Sequence, residues 1–106
     1  RGTVVVPLQG DIWWSDAPDD RRPVLVITRS AAIPVLHAIL VAPVTRTVRG
    51  IPTEVALGPE QGLPEPCAAS FDNLGPQPVA MLTQRIGRLD DARSRICDAL
   101  AALADC

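Results

Sequence analysis

The chain has 106 residues, of which 47% are apolar, and its formal net charge is −2 at pH 7. This length and composition indicate a single folded domain, 1–106, with one modest core. The negative charge argues against a non-specific nucleic-acid coat protein, which would be basic. No apolar run approaches the roughly 18–20 residues that cross a bilayer, and no signal-peptide pattern is present. We therefore expect a cytoplasmic protein that does not associate with a membrane.

Short runs rich in Val, Ile and Leu alternate with Pro and Gly along most of the chain and predict strands. In chain order these strands are Asp11–Asp16, Pro23–Thr28, Ala38–Val44, Thr53–Leu57, Ala68–Leu74 and Met81–Ile86. Pro43 is expected at a strand end or a bulge, because proline has no N–H for the ladder. From Leu89 onward the apolar spacing is helical, with Asp90 and Asp91 suited to the N-cap and first turn. The predicted fold class is mainly β with a C-terminal helix, as a small antiparallel SH3-like barrel.

The positive charges are unevenly distributed, and all ten cations are arginines. Residues 1–53 carry six Arg and four acids, whereas residues 54–106 carry four Arg and eight acids. The halves therefore have net charges of +2 and −4, so we expect a phosphate site to use arginines of the first half. Arginines and hydroxyls concentrate at Arg21-Arg22-Pro23 and in TRTVRG, 45–50. These are either solvated loop residues or a phosphate clamp, and the rigid backbone at Pro23 favours the clamp.

Several common kinds of site are not indicated. The sequence has no Gly-rich phosphate loop and no zinc-protease or serine-hydrolase motif. Its three cysteines have no metal-ligand spacing. His37 is the only histidine, so a histidine pair within one chain cannot carry acid–base chemistry. We expect neither a cofactor nor a metal.

Four stretches, in the right order and at plausible spacing, resemble the MazF/PemK toxin family from Gly10 to the C-terminal helix. They are GDIWWSD (10–16), RPVLVI (22–27), VAPVT (41–45) and RGIPTEV (49–55). The resemblance implies the toxin of a type II toxin–antitoxin system that cuts single-stranded RNA without metal. The implied products are a 2′,3′-cyclic phosphate and a 5′-OH end. It also implies a homodimer that a MazE-like antitoxin silences.

The resemblance carries roles to individual residues. It implies that Arg22 and Thr45 are catalytic, by stabilising the pentacoordinate phosphate. Arginine is not deprotonated in proteins, so the general base stays unassigned. Residues expected to bind RNA are Trp14, Arg46, Thr47, Arg49, Asp72 and Asn73. Trp13 and Trp14 are adjacent on a strand, so one is expected in the core and the other is available to a base or a protein interface.

One departure from the family and two alternative functions stay open. The loop at 17–21 is shorter than in many members, so the RNA path there must differ, with Asp19 or Asp20 a weak stand-in for the family's acid. A gyrase-poisoning toxin shares the fold but depends on a Trp-Gly-Ile-like end, whereas this chain ends Ala104-Asp105-Cys106. A non-catalytic SH3-like binding module needs an aromatic groove, and two Trp, one Phe and no Tyr supply little of one.

Overall fold

A computed structural model describes residues 6–18 and 20–104. In those ranges the chain forms seven strands, four short 3₁₀ helices and one α-helix. The strands are β1 (Asp11–Ser15), β2 (Arg22–Val26), β3 (Ala38–Thr45), β4 (Glu54–Leu57), β5 (Cys67–Ser70), β6 (Gly75–Pro78) and β7 (Leu82–Arg88). The helix α1 is Ala92–Leu103, and the 3₁₀ helices are Ser30–Val35, Pro59–Gln61, Phe71–Asn73 and Val79–Met81. The mainly β class with a C-terminal helix is confirmed.

All the strand pairs are antiparallel and form one curled sheet in the order β4-β5-β3-β2-β1-β7, with β6 added to β3. Along one edge β3 pairs first with β6, through Ala38–Val41, and then with β5, through Val44 and Thr45. Pro43 lies inside β3 and not at a strand end, so the first of its two predicted placements was wrong. The change of partner along this edge explains why the missing N–H is tolerated there.

The strand β6 was not predicted, because its sequence, GPQP, reads as a turn. Its register places Pro76 opposite Leu40 and Pro78 opposite Ala38. The next residue, Val79, donates its N–H to the carbonyl of His37 at 2.9 Å. Since N–H groups alternate in direction along a strand, the odd-numbered positions face β3 and both prolines face away. Neither proline therefore removes a hydrogen bond from the β3–β6 ladder.

Two buried clusters lie on opposite faces of the sheet. The inner cluster contains Ile12, Leu25 and Phe71 together with Ile96 of α1, all at most 1% exposed. The outer cluster contains Trp13, with Val24 and Val26 of β2 and Ile33 of the first 3₁₀ helix among its other members. Trp13 is buried and Trp14 only half-buried. This confirms that the two indoles face opposite sides of β1.

Backbone contact brings the two ends of the sheet together. A Cβ atom at Gly87 of β7 would overlap the carbonyl oxygen of Gln61, in the turn that follows β4. Only glycine permits this approach.

The helix begins at Ala92, and Asp91 occupies its N-cap position in a left-handed conformation, with φ of 55°. The Asp91 side chain makes no capping hydrogen bond, and the first turn contains no acid. An aspartate at the N-cap position is therefore confirmed, whereas the prediction of an acid in the first turn was wrong, because Asp90 and Asp91 both precede Ala92.

Candidate nucleic-acid cleavage site

Arg22 and Thr45 face each other across two neighbouring strands. The register pairs Val24 with Pro43 and Leu25 with Ala42. Continued by two residues toward the start of β2, this register places Arg22 opposite Thr45. Directly opposed residues in an antiparallel pair have Cβ atoms about 4.5–5.5 Å apart and point to the same face. The sheet therefore brings the two predicted catalytic side chains together at the ends of their strands.

Both residues line an open cleft of about 330 Å³, which we call the Arg22 cleft. Three residues predicted to bind RNA lie there as well: Thr47, Arg49 and Asn73. The full lining is Asp20, Arg22, Pro43, Thr45, Thr47, Arg49, Glu54, Ser70 and Asn73. Two guanidinium groups, two carboxylates, three hydroxyls and an amide thus border a space large enough for a phosphodiester. Both arginines come from the first half of the chain, and their use by a phosphate site stays a prediction.

An acidic neighbour holds the Arg22 side chain. Its Nε donates to Oδ1 of Asp20 at 2.6 Å. The side chains are 41% and 57% exposed, so the pair lies at the solvent boundary. A carboxylate at Nε occupies the side edge of the guanidinium and leaves the end edge, between its two Nη atoms, for a phosphate.

Glu54 is a residue of this cleft to which no role was assigned from the sequence. Its Oε1 accepts hydrogen bonds from the backbone N–H of Arg49, at 2.9 Å, and of Gly50, at 3.0 Å. Thr45 holds the start of the same loop, because its Oγ1 accepts from the N–H of Thr47 at 3.1 Å. The loop that carries Arg49 is therefore fixed at both ends. Glu54 belongs to RGIPTEV, one of the four stretches that resemble the family. That membership is the sequence feature that could have identified Glu54 as a site residue.

The predicted pair Asp72 and Asn73 is divided between two surroundings. Asn73 borders the Arg22 cleft and donates from Nδ2 to Oγ of Ser70 at 3.0 Å. Asp72 is exposed, accepts a hydrogen bond from the Thr53 hydroxyl at 2.9 Å, and lies outside the lining of this cleft. A role for either residue in RNA binding stays a prediction.

Trp14 and Arg46 lie in a second depression of about 540 Å³, the Trp14 cleft. It is lined by Trp14, Arg21, Arg22, Pro23, Val44, Arg46, Gly62, Pro64, Glu65, Cys67, Gln84, Arg85 and Ile86. Arg22 is thus a wall of both clefts. Nε of Arg46 pairs with Glu65 at 3.0 Å, with both side chains more than half exposed. Burial, and next the charge of Glu65, raises the pKa of the Cys67 thiol, which therefore stays neutral near pH 7.

Arg85 is a cation of the Trp14 cleft that the charge distribution did not predict, since it belongs to the acidic half. Its Nε lies 3.4 Å from Oδ1 of Asp11, which is 1% exposed. Arg88 contacts the same oxygen at 3.0 Å, and Asp11 also accepts hydrogen bonds from the Leu8 N–H and the Trp13 indole. A buried, fully bonded carboxylate therefore orients Arg85.

Within 6–18 and 20–104, no cluster of three or more His, Cys, Asp or Glu side chains is arranged to hold a metal ion. Over the same ranges no helix combines the length and apolar character needed to cross a membrane.

Known proteins resemble this chain in sequence and in fold. Residues 8–104 match the sequence profile of the PemK-like, MazF-like toxins of type II toxin–antitoxin systems. The chain is 44% identical over 104 residues to the probable endoribonuclease MazF5 of Mycobacterium tuberculosis (strain ATCC 25618 / H37Rv), covering 95% of each protein. Its structure resembles Mycobacterium tuberculosis toxin MazF-mt6, with a TM-score of 0.78 and 37% identity over 86% of this chain and 92% of that one. It also resembles an endoribonuclease in complex with its cognate antitoxin from a mycobacterial species, with a TM-score of 0.76, 28% identity, and coverage of 92% and 94%. The chain therefore belongs to the PemK-like, MazF-like family of type II toxins.

Proposed function

We propose that this protein is the toxin of a type II toxin–antitoxin system and acts as an endoribonuclease on single-stranded RNA in the bacterial cytoplasm. The observation that carries the proposal is that Arg22 and Thr45 line one cleft together with Thr47 and Arg49. The 44% identity to a probable endoribonuclease over nearly the whole chain supports the same activity.

In the proposed reaction, the ribose 2′-OH attacks the adjacent phosphorus in line with the leaving 5′-oxygen. The P–O2′ bond forms as the P–O5′ bond breaks, which yields a 2′,3′-cyclic phosphate and a 5′-OH. The 2′-OH loses its proton and the 5′-oxygen gains one, so no metal or other reactant is consumed. Negative charge develops on the equatorial oxygens, and donors preorganised around them lower the barrier.

The roles within the cleft follow from donor geometry. Arg22 presents the end edge of its guanidinium, since Asp20 occupies the side edge. Thr45 adds a hydroxyl donor on the same face, and Arg49 a second positive charge. A correctly placed donor of this kind is typically worth about 3–4 kcal/mol, or 10²–10³ in rate. The group that removes the 2′-proton is left unassigned.

Partners are part of the proposal. We infer a homodimer and a MazE-like antitoxin whose segment competes with RNA, by analogy with the solved endoribonuclease–antitoxin complex. Val48 and Ile51 are exposed beside Arg49, on the loop that borders the Arg22 cleft. An antitoxin segment with apolar and acidic side chains would find complementary groups there.

The deciding experiment is cleavage of a long single-stranded RNA by purified protein in EDTA, with the chemistry of the new ends mapped. Arg22→Ala and Thr45→Ala are compared with Arg29→Ala, which removes an exposed arginine outside both clefts. We expect cuts with 5′-OH ends in the wild type and in Arg29→Ala. The rates of Arg22→Ala and Thr45→Ala should fall by about 10²–10³.

The outcomes separate the parts of the proposal. Cleavage that disappears in EDTA and returns with a divalent cation would contradict the metal-independent mechanism. A folded wild type that cuts no RNA would contradict the endoribonuclease, and inhibition of gyrase would be measured next. Full activity in Arg22→Ala would show that cleavage takes place at another part of the surface.

A further inference from the structure

One buried hydroxyl group is unpaired within the described part of the chain. Ser15, the last residue of β1, is 1% exposed, and its Oγ has no hydrogen-bond partner among residues 6–18 and 20–104. A buried polar group without a partner destabilises the fold, because folding removes its hydrogen bonds to water and no hydrogen bond within the protein replaces them. Such a group needs an explanation, and a ligand that uses the hydroxyl is one.

Ser15 lines a small cavity beside the Arg22 cleft. This Ser15 pocket has a volume of about 120 Å³, far more than the roughly 10–15 Å³ that a single water requires. Asp20, Arg22, Pro43 and Asn73 line both the pocket and the Arg22 cleft. The register pairs Ser15 with Arg22, so Ser15, Arg22 and Thr45 all point to one face of the sheet. The pocket is therefore a side chamber of the proposed cleavage site.

The remaining lining combines flat apolar surfaces with neutral hydrogen-bonding groups. Val41, Pro43 and Pro76 supply the apolar walls, and Gln77 and Asn73 supply amides. An amide both donates and accepts, and so does a hydroxyl. The edge of a nucleobase likewise presents donors and acceptors around an apolar ring. The charged groups among the lining residues, Arg22 and Asp20, are those shared with the Arg22 cleft, where the phosphate would lie.

We propose that the Ser15 pocket binds one nucleobase of the RNA, next to the scissile phosphate, and contributes to the choice of cleavage sequence. In this arrangement the Ser15 hydroxyl and the Gln77 amide contact the edge of the base, while Arg22 holds the adjoining phosphate. The inference rests on the proposed function for its substrate class. It adds an RNA subsite and two residues, Ser15 and Gln77, whose role is specificity rather than catalysis.

Ser15→Ala separates this role from a structural one. Removing a hydroxyl that has no partner among the described residues leaves stability unchanged or raises it, so the urea midpoint should not fall. A base contact made by that hydroxyl disappears at the same time. Ser94→Ala is the matched control, because it removes an exposed serine hydroxyl on α1.

The test is selection of bound sequences from a random single-stranded 2′-fluoro RNA pool, which lacks the attacking hydroxyl and cannot be cut. In parallel, cleavage sites are sequenced in a random unmodified RNA pool. We expect Ser15→Ala and Gln77→Ala to lose base preference at one shared position. Binding of the wild-type motif should weaken about 2- to 10-fold for each variant, the usual loss for a neutral hydrogen bond. Ser94→Ala should select the wild-type motif.

The result decides this inference separately from the proposed catalysis. If the wild type selects a motif but does not cut the unmodified pool, the proposed endoribonuclease activity is contradicted. The base pocket is still supported in that case if Ser15→Ala alters the motif. Selection of an unchanged motif by Ser15→Ala overturns the pocket. A lower urea midpoint with that unchanged motif would show that the hydroxyl serves the fold through bound water. Binding without any base preference in the wild type also overturns it.

Discussion

Replacing Asp20 by alanine should slow cleavage without measurably unfolding the protein. The 2.6 Å bond from Arg22 Nε to Asp20 joins two side chains that are 41% and 57% exposed. Such an exposed pair contributes roughly 0.2–1 kcal/mol to stability. Its effect on the reaction should be larger, because immobilising a free arginine side chain costs about 1.5–2 kcal/mol. If the bond to Asp20 immobilises Arg22 before RNA binds and so removes about two thirds of that free-energy cost, its loss lowers kcat roughly 5- to 10-fold.

The Michaelis constant should move the other way. Removing a negative charge beside Arg22 makes the cleft more positive, so KM for RNA should fall or stay constant while kcat falls. The assay is steady-state cleavage of a short fluorescent RNA that contains one cleavage site, with urea unfolding in parallel. Asp98→Ala removes the same charge from α1, away from both clefts, and should leave kcat within about twofold. Unchanged kcat in Asp20→Ala, or an equal loss in Asp98→Ala, would refute positioning of Arg22 by this carboxylate.

Three further results are expected. Glu54→Gln should retain most of the cleavage activity, since an amide oxygen can accept the same two backbone N–H bonds. Glu54→Ala should lower the free energy of unfolding by about 1–2 kcal/mol and the cleavage rate roughly tenfold. Equal inactivity of both variants would mean that the negative charge of Glu54 itself takes part. Gly87→Ala should lower the free energy of unfolding by about 1–3 kcal/mol, measured in urea, because the new Cβ overlaps the backbone of the neighbouring 3₁₀ turn; an unchanged midpoint would show that the turn can yield. In a Cys106→Ser background at pH 8, a disulfide reagent should label exposed Cys97 at once. Burial raises the pKa of Cys67 and reduces its thiolate, so it should react only at the rate of opening, and rapid labelling of both thiols would contradict its burial.

Much of the fold could be predicted from local pattern, and the exceptions have identifiable causes. The runs around Asp11 and Pro23 became β1 and β2 within two residues of their expected ends, because their apolar residues fill the two clusters. The predicted strand Ala68–Leu74 is instead β5 followed by a 3₁₀ turn that buries Phe71 completely. Composition did not distinguish that turn from a strand, since both place apolar side chains inside.

The candidate site was predictable where family motifs mark it and not where tertiary contacts make it. Arg22 and Thr45 stand in matched stretches, and both residues line the Arg22 cleft. Nothing local distinguishes Ser15, because its burial depends on strands that come later in the chain. The same holds for Arg85, whose direction is set by an ion pair with Asp11, a residue that is distant in sequence but lies on the neighbouring strand.

The two prolines of β6 also limit how another polypeptide can join this molecule. At Pro76 and Pro78 the side of β6 that faces away from β3 has no N–H to offer an incoming strand. Extension of the sheet at this edge, whether by a partner peptide or by a second copy in an aggregate, is therefore blocked by covalent structure rather than by charge. An antitoxin that approaches from this side has to be recognised through side chains and cavities, and strand addition is left to the edges of β4 and β7.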